Sequence, residues 1–250
     1  MNVFQVRYSR ETLGIHNVGE VPPAILYLSD GGHVENLGLL ALLKRRLQRI
    51  IIADGGFCAS ERDTAVELLH SLKLAREKLH CSFSGMTGRD IEEDIRDNFV
   101  DALDGVYSRF YTFRVDYYDK DPRTNQSTKV SQGVIMLLAP RHPNTGITNT
   151  QDTTWSAYEQ DTGVTMKRSQ WGQGPVLSET EVNRLTMACS ECCHCGCYRC
   201  CSDPICGKFP YHVTANQFFT GSLFSAYHRE GYRAAMEAGV KEFTTLNTDE

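Results

Sequence analysis

The run AILYLSDGGHVENLGLLALLKRRLQRIIIAD, residues 24–54, decides the fold. It opens on a short apolar segment that suits a buried strand and ends in Ser29-Asp30. Two glycines follow. Leu37, Leu40, Leu43 and Leu47 then recur at helical spacing, with Lys44-Arg45-Arg46 as a basic band towards the end. The β-branched run 50–52 reads as a second buried strand, closed by Asp54. Strand, helix and strand within about thirty residues predict a parallel βαβ unit with a right-handed crossover.

Outward from this unit, Ser60 is placed to cap a helix to about residue 80, with Ala65, Leu68, Leu69, Leu72 and Leu79 on its buried side. GRDIEEDIRDNFVDAL (88–103) reads as another helix, acidic at its start. RFYTFRVDYY (109–118) alternates as a strand, DKDPRTNQSTK (119–129) is polar and turn-rich, and GVIMLLAP (133–140) is one more buried strand. Residues 142–178 carry no clear period and suit a long surface excursion. A closing helix is expected over roughly 214–238, followed by a polar tail. The class predicted is α/β, with a mostly parallel sheet flanked by helices. VFQVRY (3–8) alternates like a strand with no leader before it, as though the chain begins partway through a domain and is incomplete on its N-terminal side.

Composition excludes several classes. Across 250 residues, 41% hydrophobic and 23% charged is ordinary for a globular protein, and a net charge of −5 argues against a nucleic-acid backbone binder. No apolar run approaches a membrane span, and the N-terminus lacks a signal-peptide core. A cytoplasmic setting, at most peripheral to membranes, is the default expectation.

Asp30 ends a strand, where open α/β sheets collect ligands, and so does Asp54. Three readings of Asp30 stand side by side. It is a turn residue whose glycines free the backbone, an element of an anion-cradling loop, or one half of a catalytic pair. The loop reading lacks the Lys-Ser/Thr of a P-loop and the spacing of a dinucleotide fingerprint. Asp54 reads as a strand-end turn residue.

The phrase SDGGHVENLGLLALLKRR followed by IIIAD resembles the second catalytic block of the patatin-like acyl hydrolases, relatives of the cytosolic phospholipases. The matching positions are Asp30, Gly31, Gly32 and Asn36, then 37–46, then 50–54. KFPYHVTANQFFTGSLFSAYHREGY (208–232) is similar to the closing helix of a branch of that family. The resemblance implies a patatin-like three-layer fold. It also implies lipid acyl-ester hydrolysis, of phospholipase or lysophospholipase type, by a Ser–Asp dyad at a membrane surface, with no metal needed for the chemistry. Asp30 would be the base, Gly31 and Gly32 would let the loop aim it, and Asn36 would brace the loop by hydrogen bonds. His33, three residues after Asp30 at a helix start, is expected to be structural or pocket-lining rather than a third catalytic member.

The nucleophile's Gly-x-Ser-x-Gly elbow is absent from this sequence. Ser84 and Ser222 each adjoin a glycine without the flanking pattern. The expectation is therefore that residues 1–250 are the C-terminal portion of one catalytic domain, a truncated product, or a non-catalytic descendant. The last would be an interaction module on a degenerate hydrolase fold.

Ten cysteines are unevenly spread: only Cys58 and Cys81 fall outside 189–206. Within that insertion, Cys189 with Cys192 and Cys197 with Cys200 have the spacing of two zinc-binding pairs, which would hold a structural zinc. Reversible lipidation and an exposed insertion with reduced thiols remain open beside it.

Overall fold

The computed structural model describes residues 34–101, 105–121, 123–146, 154–185, 208–213 and 220–245. The chain divides into two units, Met1–Asn36 and Leu37–Glu250. Of the first only residues 34–36 are described, so the fold below is that of the second.

Helix α1 (Leu39–Lys44) leads into strand β1 (Arg49–Ala53). The helix is shorter than its leucine spacing suggested, because the backbone is left-handed at both flanks, at Gly38 and at Arg46. For Arg46 that conformation costs about 1–2 kcal/mol. A 3-10 turn (Glu61–Asp63) precedes helix α2 (Val66–Leu79), whose buried stripe of Leu68, Leu72 and Ala75 follows the expected spacing. Left-handed His80 ends it. Strand β2 (Cys81–Gly85) leads to helix α3 (Ile91–Ile95), capped by the Asp90 carboxylate on the Glu92 and Glu93 amides and prolonged by a π turn (Arg96–Val100). Strands β3 (Phe110–Lys120) and β4 (Ser127–Leu138) follow.

The sheet order is β1-β4-β3-β2. Only β1 and β4 run parallel; β4 with β3 and β3 with β2 are antiparallel, so the sheet is mixed. This corrects the expectation of a mostly parallel sheet. The polar run after Tyr118 is the cause: residues 121–126 are too few for a crossover, and so short a connection closes an antiparallel hairpin. The expected strand before α1, residues 24–30, lies outside the described residues.

One face of the sheet carries Phe83, Tyr111, Phe113, Val115 and Tyr117, which pack with Leu39 and Leu43 of α1, Leu68 and Leu72 of α2, and Ile91 and Ile95 of α3. Each such side chain contributes about 1.5–3 kcal/mol on full burial. Inside this core Asp94 is held by the Tyr111 hydroxyl (2.5 Å) and the Asn98 amide (2.9 Å).

The region after β4 departs from the surface excursion expected of it. Short helices α4 (Ser156–Thr162), α5 (Arg168–Trp171) and α6 (Glu179–Val182) form there, and Trp155 is fully buried, its indole N–H donating to the Gly172 carbonyl at 3.0 Å. The closing helix, α7 (Gly221–Glu237), is capped by Thr220, whose hydroxyl accepts the Leu223 N–H. Part of the expected polar tail folds as α8 (Val240–Thr245). Leu177, Val182, Phe209, Leu223 and Ala226 form a second, smaller core.

Candidate functional site

The parallel strands β1 and β4 end side by side, and open α/β sheets gather ligands at such carboxyl ends. Asp54 leaves β1 with its N–H on the Leu138 carbonyl (2.8 Å), and its Oδ1 accepts the Gly56 N–H (2.9 Å). That is the Asx-type turn expected of it. Burial pushes the Asp54 carboxyl above its ordinary range; the Gly56 N–H pulls it back, Glu67 adds to the rise and Arg141 opposes it.

Asp54 also lines a cleft of about 160 Å³ between the strand ends and α7, with Leu138, Pro140, Tyr227, Gly231 and Ala234 among its walls. Asp54 is the only charged side chain among the described residues that line it. Its other walls are apolar or backbone, apart from the Tyr227 side chain, and its volume is below the usual range of ligand pockets.

Arg141 lies just beyond, where β4 runs out through Ala139 and Pro140. Its amide donates to Glu230 Oε1 (3.0 Å), and its guanidinium reaches Glu61 Oε2 (2.8 Å), the Ser108 carbonyl (2.9 Å) and the Phe99 carbonyl in the π turn (3.2 Å). It stacks 4.6 Å from the Phe99 ring centre. Glu61 is also hydrogen-bonded by the Tyr211 hydroxyl and by Thr145 (2.9 Å). Glu230 Oε1 also takes the Arg109 Nε (2.6 Å), and Arg109 goes on to Glu237 (3.1 Å), which holds Arg233 (2.9 Å). Arg109, Arg141 and Glu230 are completely buried. Burial pushes the Glu230 carboxyl up, opposed by Arg109 and the Arg141 amide. The network clamps α7 against the ends of β3 and β4 and so fixes one wall of the cleft. Gly146 belongs to it, since a Cβ there would overlap the Arg109 guanidinium.

A second cavity, of about 330 Å³, is lined by His142, Asn183, Lys208, Phe209 and His212 among others. His212 Nδ1 lies 2.8 Å from the Tyr227 hydroxyl. Burial lowers the His142 pKa, while Glu61 and Glu179 oppose the shift.

Of the residues singled out from the sequence, Asp30, Gly31, Gly32 and His33 lie outside the described residues, as do Cys189, Cys192, Cys197 and Cys200. Asn36 is exposed in a bend before α1. Among the described residues no group of His, Cys, Asp and Glu is placed to hold a metal ion. Cys58 and Cys81 are free thiols, pushed by burial to about 12 and about 11, which keeps them protonated at neutral pH.

The buried ionic cluster was not read from the sequence. One signal was available: Arg229, Glu230, Arg233 and Glu237 share the face of α7 that also carries Ala226 and Ala234, so charges occupy core spacing. Glu61, Arg109 and Arg141 are single charges far apart in the chain, with no common period.

No family model matches the chain, and no curated protein or solved structure matches it either.

Proposed function

We propose that this chain takes part in lipid acyl-ester hydrolysis of the patatin-like type, phospholipase or lysophospholipase in class, with Asp30 as the base of a Ser–Asp dyad. The observation that carries the reading is the phrase from Ser29 to Asp54, with its Asp-Gly-Gly corner, Asn36, leucine-rich helix and aspartate-ended strand. Support comes from the part of it that is described: residues after Gly38 fold as helix α1 and then strand β1, and Asp54 borders an apolar cleft at the carboxyl end of the sheet. The finer fold proposed is the patatin-like three-layer arrangement, and the substrates are lipid acyl esters at a membrane surface.

In this mechanism the serine Oγ adds to the ester carbonyl as Asp30 takes its proton. Collapse of the tetrahedral intermediate expels the alcohol, which receives that proton from Asp30, and leaves an acyl-serine. Water then attacks the acyl carbonyl as Asp30 accepts its proton, and collapse of this second tetrahedral intermediate breaks the acyl–Oγ bond, Asp30 returning the proton to the serine Oγ as the fatty acid departs. A carboxylate does this well only where burial raises its proton affinity. The 250 residues hold no Gly-x-Ser-x-Gly elbow, so on this reading the serine is supplied by further polypeptide.

The test is a polypeptide that carries this chain behind its own upstream coding sequence, assayed on lysophosphatidylcholine. Asp30→Asn should lower kcat by about 10²–10⁴ and leave KM little changed. Equal turnover by wild type and variant, or an upstream sequence without a Gly-x-Ser-x-Gly elbow, would overturn the proposal.

A further inference from the structure

The ends of α1, α2 and β3 border an open cleft of about 340 Å³. Its charge is one-sided. Lys44, Arg46, Lys78 and Lys120 face a single acid, Asp119, so the lining carries three net positive charges with His80 neutral, in a chain whose total is −5. Arg46 pairs with Asp119, whereas Lys44, Lys78 and Lys120 meet no carboxylate at ion-pair distance among the described residues.

Cations at helix C-termini usually answer the helix dipole, and Lys44 and Lys78 are so placed. Part of that demand is already met by backbone. The Arg45 and Arg46 amides cap the Leu42 and Leu43 carbonyls, and the His80 amide caps that of Ala75. Lys120 stands on no helix, at the end of β3. The cleft is also pre-built. The Tyr118 N–H donates to the His80 carbonyl (3.2 Å), the Tyr117 hydroxyl donates to the Leu47 carbonyl (2.7 Å), and the Arg46–Asp119 pair ties a third point. An irregularity in β3 between Tyr117 and Tyr118 re-aims the residues that follow it. Arg46 and His80, two non-glycine residues with left-handed backbone, both line the cleft.

We infer that this cleft binds a phosphate-bearing anion. Three net positive charges match a multiply charged phosphate better than a single carboxylate, and lysines serve phosphate as point charges. The volume lies at the low end of ligand pockets, which suits one phosphorylated group. The group belongs to a soluble phosphate ester or to a phospholipid head group; the site chemistry is the same for both. The inference does not rest on the acyl-hydrolase reading.

The experiment titrates the full chain with inorganic pyrophosphate by calorimetry at about 50 mM salt, and pellets it with phosphatidylcholine vesicles with and without phosphatidic acid. Saturable binding is expected, weakened at least about tenfold in Lys44→Glu/Lys120→Glu and by a similar factor at about 0.5 M salt. Lys167→Glu, at an exposed position outside the cleft, should bind as wild type does. Pyrophosphate binding without capture on acidic vesicles assigns the site to soluble esters. Capture that the double variant abolishes assigns it to head groups. The inference falls if neither probe binds, or if the double variant, melting like wild type, binds both unchanged. Should the double variant not fold, Lys78→Glu carries the same expectation.

Discussion

Glu230 sits on a helix and is wholly removed from water, with one oxygen shared between the Arg109 guanidinium and the Arg141 amide. Desolvating such ions costs several kcal/mol each, recovered only while every partner is present. Glu230→Ala leaves Arg109 buried with Glu237 as its remaining carboxylate among the described residues and frees the Arg141 amide. It should lower the unfolding free energy by about 3–5 kcal/mol, read from the urea midpoint. A loss under about 1 kcal/mol would mean that the network does not anchor α7. The exposed Lys241–Asp161 pair is the control: Lys241→Ala should leave the midpoint where it is. The same scale explains what was legible in the site. Asp54 could be read as a turn residue because its glycines are adjacent in sequence, and its carboxylate does accept the Gly56 N–H. Arg141 could not be read, because it draws its partners from the π turn, the 3-10 turn and α7, which the chain brings together only on folding.

At the scale of elements, α7 has a glycine in its interior. Apart from its chain neighbours and its own helix backbone, a Cβ added at Gly231 would meet no atom within 4 Å, and the residue has no positive φ. Gly231→Ala should therefore raise stability by about 0.5–1 kcal/mol, the helix-propensity difference, seen as a higher melting temperature. Gly133 in β4 is the contrasting case: a Cβ there would come within 2.7 Å of the Leu47 carbonyl, so Gly133→Ala should destabilise. A fall in stability on Gly231→Ala would show that the wall of the apolar cleft has no room for a methyl group. Elements with strong local patterns were legible, α2 from its leucine stripe and β3 from the alternation of Tyr111, Phe113, Val115 and Tyr117. β2 has no legible local pattern because it is five residues long and two of them are serines. The helices after β4 carry no legible period because they are short, and Trp155, which anchors them, packs against Tyr158 and against His228 and Tyr232 of distant α7.

At the scale of the molecule, the thiols and phenols among the described residues that burial shifts all move in one direction. Burial raises Cys58 to about 12, Cys81 to about 11, and Tyr117 and Tyr227 to about 12. Tyr111 and Tyr211 are also pushed up, by burial first and further by hydrogen bonds to Asp94 and Glu61. In the unfolded chain cysteine titrates near about 8.5 and tyrosine near about 10. Between those values and the folded ones the native state holds more protons than the unfolded state, so stability falls as pH rises. The contribution is fully present below about pH 8.5 and is lost progressively towards pH 11–12. Melting temperature should thus hold near neutrality and fall steadily above about pH 9, and it should fall less in Tyr117→Phe. Absorbance near 295 nm supplies an independent readout, since only part of the 11 tyrosines should ionise in the native protein and the rest only as it unfolds. A flat melting temperature up to about pH 10.5, with every tyrosine ionising near its free value, would mean that the sheet core and the Tyr211–Glu61–Arg141 contact are open to water.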